Sequence, residues 1–128
     1  MGVRLKYAKV VDRDLFMRTG ATIKPGLDNR VELTGSAPAV AAGFTVIRNW
    51  YNVDGPFTES WRLVDPHGQT VHQGLDREVL TGNQDVVDEI DEQQFEYADS
   101  GYQLVLEVDG REVARADFDV VEPVADLG

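Results

Sequence analysis

Apolar and polar residues alternate with a period of two along most of this chain, and no window of a dozen residues keeps a 3.6-residue period. That pattern predicts an all-β fold. Val3, Leu5 and Tyr7 alternate with Arg4, Lys6 and Ala8 in a half-buried first strand. Mixed signals between Asp12 and Asp28 predict a long connection holding one short strand. Val31 and Leu33 then point inward against Arg30, Glu32 and Thr34, Ala37-Pro38-Ala39 interrupts, and a strand resumes from Gly43 to Tyr51. Phe57 to Val64 puts Trp61 and Leu63 on one side and Arg62 on the other, with Val71 continuing the apolar side in the next strand.

Two turns set the register of what flanks them. Asp65-Pro66-His67-Gly68 has the preferences of a type I turn closed by a left-handed glycine, which predicts Leu63 opposite Val71. Between Tyr102–Val108 and Arg111–Val121, a two-residue Asp109-Gly110 turn would set Leu104 opposite Arg115 and Tyr102 opposite Asp117, forcing charge onto the apolar face. A three-residue loop, Val108-Asp109-Gly110, avoids this by setting Leu104 opposite Ala114 and Tyr102 opposite Ala116. It predicts left-handed Gly68 and Gly110, buried Leu104 and Phe118, and solvent-facing Arg115 and Asp117.

At 128 residues the chain has the size of a single domain, expected to span 1–128 with a flexible tail from about residue 123. The absence of cysteine closes off disulfides, thiolate metal cages and thiol nucleophiles. The start, Met1-Gly2-Val3-Arg4-Leu5-Lys6, lacks the apolar run of a signal peptide, and Lys6 stands where a myristoylation signal has Ser or Thr. With no stretch long and apolar enough for a membrane span, a soluble, cytoplasmic protein without a membrane partner is expected. The net charge of −11 argues against nucleic acid as a partner, because affinity for phosphate backbones comes mainly from Lys and Arg.

Trp50-Tyr51 ending an apolar strand in mid-chain, and Asp99-Ser100-Gly101-Tyr102 opening the penultimate strand, resemble the immunoglobulin-like superfamily over roughly Asn29 to Val121. Leu104 stands where an antibody domain would have cysteine, and the immunoglobulin pattern puts one more residue between Gly and Tyr. The resemblance implies an antiparallel two-sheet sandwich of about seven to nine strands and a tyrosine corner at Tyr102. The run from Phe44 to Gly68 is similar to the adhesion and assembly sandwiches of bacteria and phage.

Chemistry-bearing motifs are sparse. His67 and His72 are expected at an exposed corner and facing away from Leu63 and Val71, so they predict no metal site. Neither a Gly-x-Ser-x-Gly element nor a phosphate-cradling glycine loop occurs, and no cofactor is implied. Asp117 with Asp119, and Glu59 and Glu32, read as solvated carboxylates on outer faces. Among the aromatics, Trp50 and Trp61 are expected in the core, while Tyr51 and Phe57, flanking the loop 52–56, form the expected recognition surface. The segment from Glu78 to Gly110 holds ten acidic residues and no Lys or Arg, and its densest part, 85–92, is expected as a solvated acidic loop or short helical turn. These readings favour a non-catalytic protein interaction or assembly module with a protein partner or self-association, and not an enzyme. The alternative is a carbohydrate- or small-ligand-binding sandwich.

Overall fold

A computed structural model describes residues 2–12, 29–41 and 43–123. These hold eleven strands: β1 (Arg4–Asp12), β2 (Arg30–Glu32), β3 (Ala39–Ala41), β4 (Phe44–Asn52), β5 (Phe57–Val64), β6 (Thr70–Gln73), β7 (Arg77–Val79), β8 (Gly82–Ile90), β9 (Gln93–Phe95), β10 (Asp99–Val108) and β11 (Arg111–Val121). The all-β expectation holds. The connection expected across 13–28 and the tail beyond Pro123 lie outside the described residues.

The expected immunoglobulin-like arrangement, with two separate antiparallel sheets, is not what forms. Nine strands make one mixed sheet in the order β6-β5-β10-β11-β2-β1-β4-β8, with β7 also paired to β5, and β3 and β9 form a small second sheet. The reason is β2. Arg30 pairs in parallel with Val11 of β1 and with Asp119 of β11, so this short strand stitches two halves into a continuous surface. The sheet curls enough for distant strands to face each other. Arg48 on β4 bonds Glu59 on β5, although four strands lie between those two along the sheet. Inside the curl, Trp50, Trp61, Phe44, Phe95, Tyr102, Leu104 and Phe118 pack as one core. Tyr102 Oη donates to the carbonyl of Tyr97 at 2.8 Å, pinning the start of β10.

Three bulges correct the expected registers. At the β10–β11 hairpin the two-residue turn does form, with Asp109 at φ 50° and Gly110 at φ 82°, and Val108 pairs with Arg111. Val113 is then bulged, so Leu106 pairs with Ala114, Leu104 with Ala116 and Tyr102 with Phe118. The apolar faces agree because of the bulge, not because of a longer loop: Leu104 and Phe118 are buried, Arg115 and Asp117 exposed. At the β5–β6 hairpin Gly68 is left-handed at φ 85°, but a bulge sets Leu63 opposite His72 rather than Val71. His72 therefore points inward and stacks on Trp61 with ring centroids 5.4 Å apart, contrary to expectation. The third bulge, in β1, shapes the site below.

Candidate nucleic-acid interface

Strict alternation along β1 would place Leu5, Tyr7 and Lys9 on one face. Leu5 pairs with Trp50 and Tyr7 with Asn49, so one residue, Lys6, is extra. The faces exchange there. Leu5, Ala8 and Val10 pack on the core, while Arg4, Tyr7 and Lys9 share the outer face. Arg4 lies opposite Tyr51 of β4, which carries that outer face onward. Tyr7 and Tyr51 are 38% and 41% exposed, so two aromatic rings stand on the stretch that carries the exposed Arg4 and Lys6, with Lys9 half-buried beyond them.

The electrostatics of this stripe are graded. Arg4 and Lys6 have no ion-pair partner among the described residues. Asp85, on the neighbouring edge of β8, accepts a hydrogen bond from Asn49 and lies 3.5 Å from Tyr7 Oη. Burial and then the charge and hydrogen bond of Asp85 push the Tyr7 hydroxyl above its ordinary pKa, against the opposing effect of Lys9. At the same end of the molecule a cleft of about 470 Å³ opens between β1 and the β10–β11 hairpin, lined by Val3, Leu5, Trp50, Val108, Arg111 and Val113. The exposed guanidinium of Arg111 shares its lining with the carboxylates of Asp54 and Asp109.

Beneath the stripe, a buried charge cluster holds β4, β5 and β8 together. Arg48 and Glu59 are fully buried, and Arg48 Nε donates to Glu59 Oε2 at 2.9 Å while Nη2 donates to Oε1. Trp50 Nε1 donates to the same carboxylate. Arg48 also reaches Asp88 at 2.8 Å, which accepts from Trp61 Nε1 at 2.9 Å and pairs with Arg77. Burial alone would raise the pKa of Asp88. The charge of Arg48, hydrogen bonds from Trp61 and Arg48, and the charge of Arg77 outweigh it and hold the carboxyl below its ordinary value.

Several expected roles change on this geometry. Tyr51 is exposed as expected, but Phe57 is buried and packs edge-on against Trp50 at 5.2 Å, so the two do not share a surface. Glu59 is a core residue rather than a solvated carboxylate. The acidic run 85–92 contributes most of a nine-residue strand rather than a loop, with Asp88 turned inward. The stripe itself had a signal that net charge conceals: Arg4, Lys6, Lys9, Arg13, Arg18, Lys24 and Arg30 put seven of the 12 basic residues in the first thirty.

No protein-family model and no curated protein matches this chain. Among solved structures, it is similar to Pseudomonas fluorescens alkylpurine DNA glycosylase AlkC bound to DNA containing an abasic site analog, with a TM-score of 0.53 and 12% sequence identity. The likeness covers 94% of this chain and 30% of that one, so the chain spans less than a third of the glycosylase and shares a fold with part of it. This overturns the functional expectations. A fold of this kind forms part of a DNA-bound enzyme, so fold does not separate the chain from enzymes or nucleic acid. The non-catalytic interaction or assembly module with a protein or self partner rested on an immunoglobulin-like sandwich that does not form, and the carbohydrate- or small-ligand-binding alternative on carboxylates and an aromatic group of which Trp50, Phe57 and Trp61 are buried.

Among the described residues, no helix is long and apolar enough to cross a membrane.

Proposed function

We propose that this chain is a DNA-contacting β domain of the kind that serves a DNA-processing enzyme, and that the exposed Arg4–Tyr7 end of β1, with Tyr51 of β4 beside it, meets the nucleic acid. The observation that carries this is the stripe, where the exposed Arg4 and Lys6 stand with exposed Tyr7 and Tyr51 in a chain otherwise dominated by acid. The fold shared with part of a DNA-bound glycosylase supports it. The net charge of −11 does not cancel the stripe. Exposed charges more than about 8 Å apart are largely screened at physiological salt, so a phosphate on β1 is governed mainly by its immediate neighbours.

Fluorescence anisotropy with labelled oligonucleotides over a salt series tests the reading. Phosphate contacts from Arg4 and Lys6 give a plot of log affinity against log salt with a slope of about −1.4 to −1.8. R4E/K6E should abolish binding, whereas R115E, on the exposed face of β11, should leave it unchanged. Binding without salt dependence, or unaltered by R4E/K6E, would overturn the proposal.

A further inference from the structure

Resting on that reading, we infer that the stripe recognises single-stranded DNA, or unpaired bases within DNA, in preference to intact duplex. The bulge at Lys6 puts Tyr7 and Tyr51 on one face as diagonal neighbours, Tyr7 opposite Asn49 and Tyr51 two residues further along β4. Such neighbours stand about 7–8 Å apart, roughly twice the ~3.4 Å rise between stacked bases. Two successive bases can therefore each take one ring only after they have unstacked from each other. In a duplex both faces of every base are already covered, and the tyrosines have nothing to bind.

Charge placement excludes the duplex from the other direction. The cations lie on β1, while the same outer face carries Asp85 and Glu89 on β8, two strand spacings away, or about 10 Å. A duplex presents two phosphate backbones flanking a groove about 6 to 12 Å wide, so seating one on Arg4 and Lys6 brings the other over those carboxylates. A single strand has one backbone, which follows β1 while its bases turn toward Tyr51 on β4. Arg4, opposite Tyr51 in the register, is placed to pair with the phosphate of a base stacked there.

The test measures anisotropy of a labelled oligothymidine 12-mer and of a hairpin duplex with equal phosphate count at about 50 mM salt, where two phosphate contacts remain measurable. The single strand should bind about tenfold tighter, and Y51A and Y7A should each cost it about fivefold to tenfold while leaving duplex affinity unchanged. Y51F and Y7F should retain affinity, because the ring and not the hydroxyl makes the stack. Both tyrosines are substantially exposed, and thermal melts check that the variants stay folded. Equal affinity for both DNAs, or equal losses on both in the alanine variants, would overturn the preference and leave the phosphate-contact reading standing. No binding to either DNA would overturn both.

Discussion

Replacing Glu59 by Gln isolates what the buried charge cluster contributes. Glu59 accepts from Arg48 Nε, Arg48 Nη2 and Trp50 Nε1, and both it and Arg48 are fully removed from water. The amide keeps the volume, removes the charge and turns an NH₂ toward groups that are themselves donors. Removing one partner of a buried pair costs about 3–5 kcal/mol, and because Arg48 keeps Asp88 the lower end, about 3 kcal/mol, applies. In a domain this size each kcal/mol moves Tm by roughly 3–4 °C, so the loss reads as about 10 °C. The double variant R48M/E59L exchanges the pair for apolar groups of similar volume and should return to within about 2 kcal/mol of the parent. Urea melts on the parent, R48M, E59L and R48M/E59L give the coupling directly. A loss under about 1 kcal/mol for E59Q, or a double variant as unstable as the sum of the singles, would refute the assignment of Glu59 as the essential counter-charge.

Two more perturbations act on Asp88 and on the β10–β11 hairpin. Asp88 has a folded pKa below its ordinary 3.8, so its stabilisation is complete well above that value and is lost as pH falls through the folded pKa; D88N should flatten this acid limb in melts from pH 7 to pH 2, and an unchanged limb would contradict the arrangement around Asp88. In the β10–β11 hairpin, deletion of the bulged Val113 should leave the downstream pairing intact and the protein folded, whereas deletion of Arg115 exchanges the faces of β11 and should abolish cooperative unfolding; equal effects from the two deletions would sink the bulge assignment.

The sequence revealed strands more readily than the parity between them. The strand Phe57–Val64, the left-handed Gly68 and Gly110, and the buried Trp50 and Trp61 were legible because alternation and turn chemistry are local. The bulges at Lys6, Val71 and Val113 were not, since one extra residue leaves local propensity unchanged and only the facing strand decides where it goes. Rejecting the Asp109-Gly110 turn assumed an unbroken ladder beyond it, and Val113 breaks that ladder. Acid concealed β8, because carboxylates disfavour strands in isolation, while Asp88 is satisfied by Arg48 and Arg77 from other strands. Burial of Glu59 was invisible for the same reason: Arg48 meets it across the curl of the sheet rather than through neighbouring strands. Of the site, Tyr51 was anticipated as exposed. The cations around it were hidden behind a net charge summed over the whole chain.

The acid on β8 also bears on solubility. Among the described residues β8 has one strand neighbour, β4, and so ends the sheet. A sheet end of this length is a template for stacking with another copy of itself. In an antiparallel encounter of two such strands centred on Val87, Asp85 of each molecule would face Glu89 of the other, so like charges would meet twice across one seam. The carboxylates thus act as a colloidal safeguard, and it weakens as the solution is acidified toward the isoelectric point near 4.4, where precipitation should set in before unfolding does.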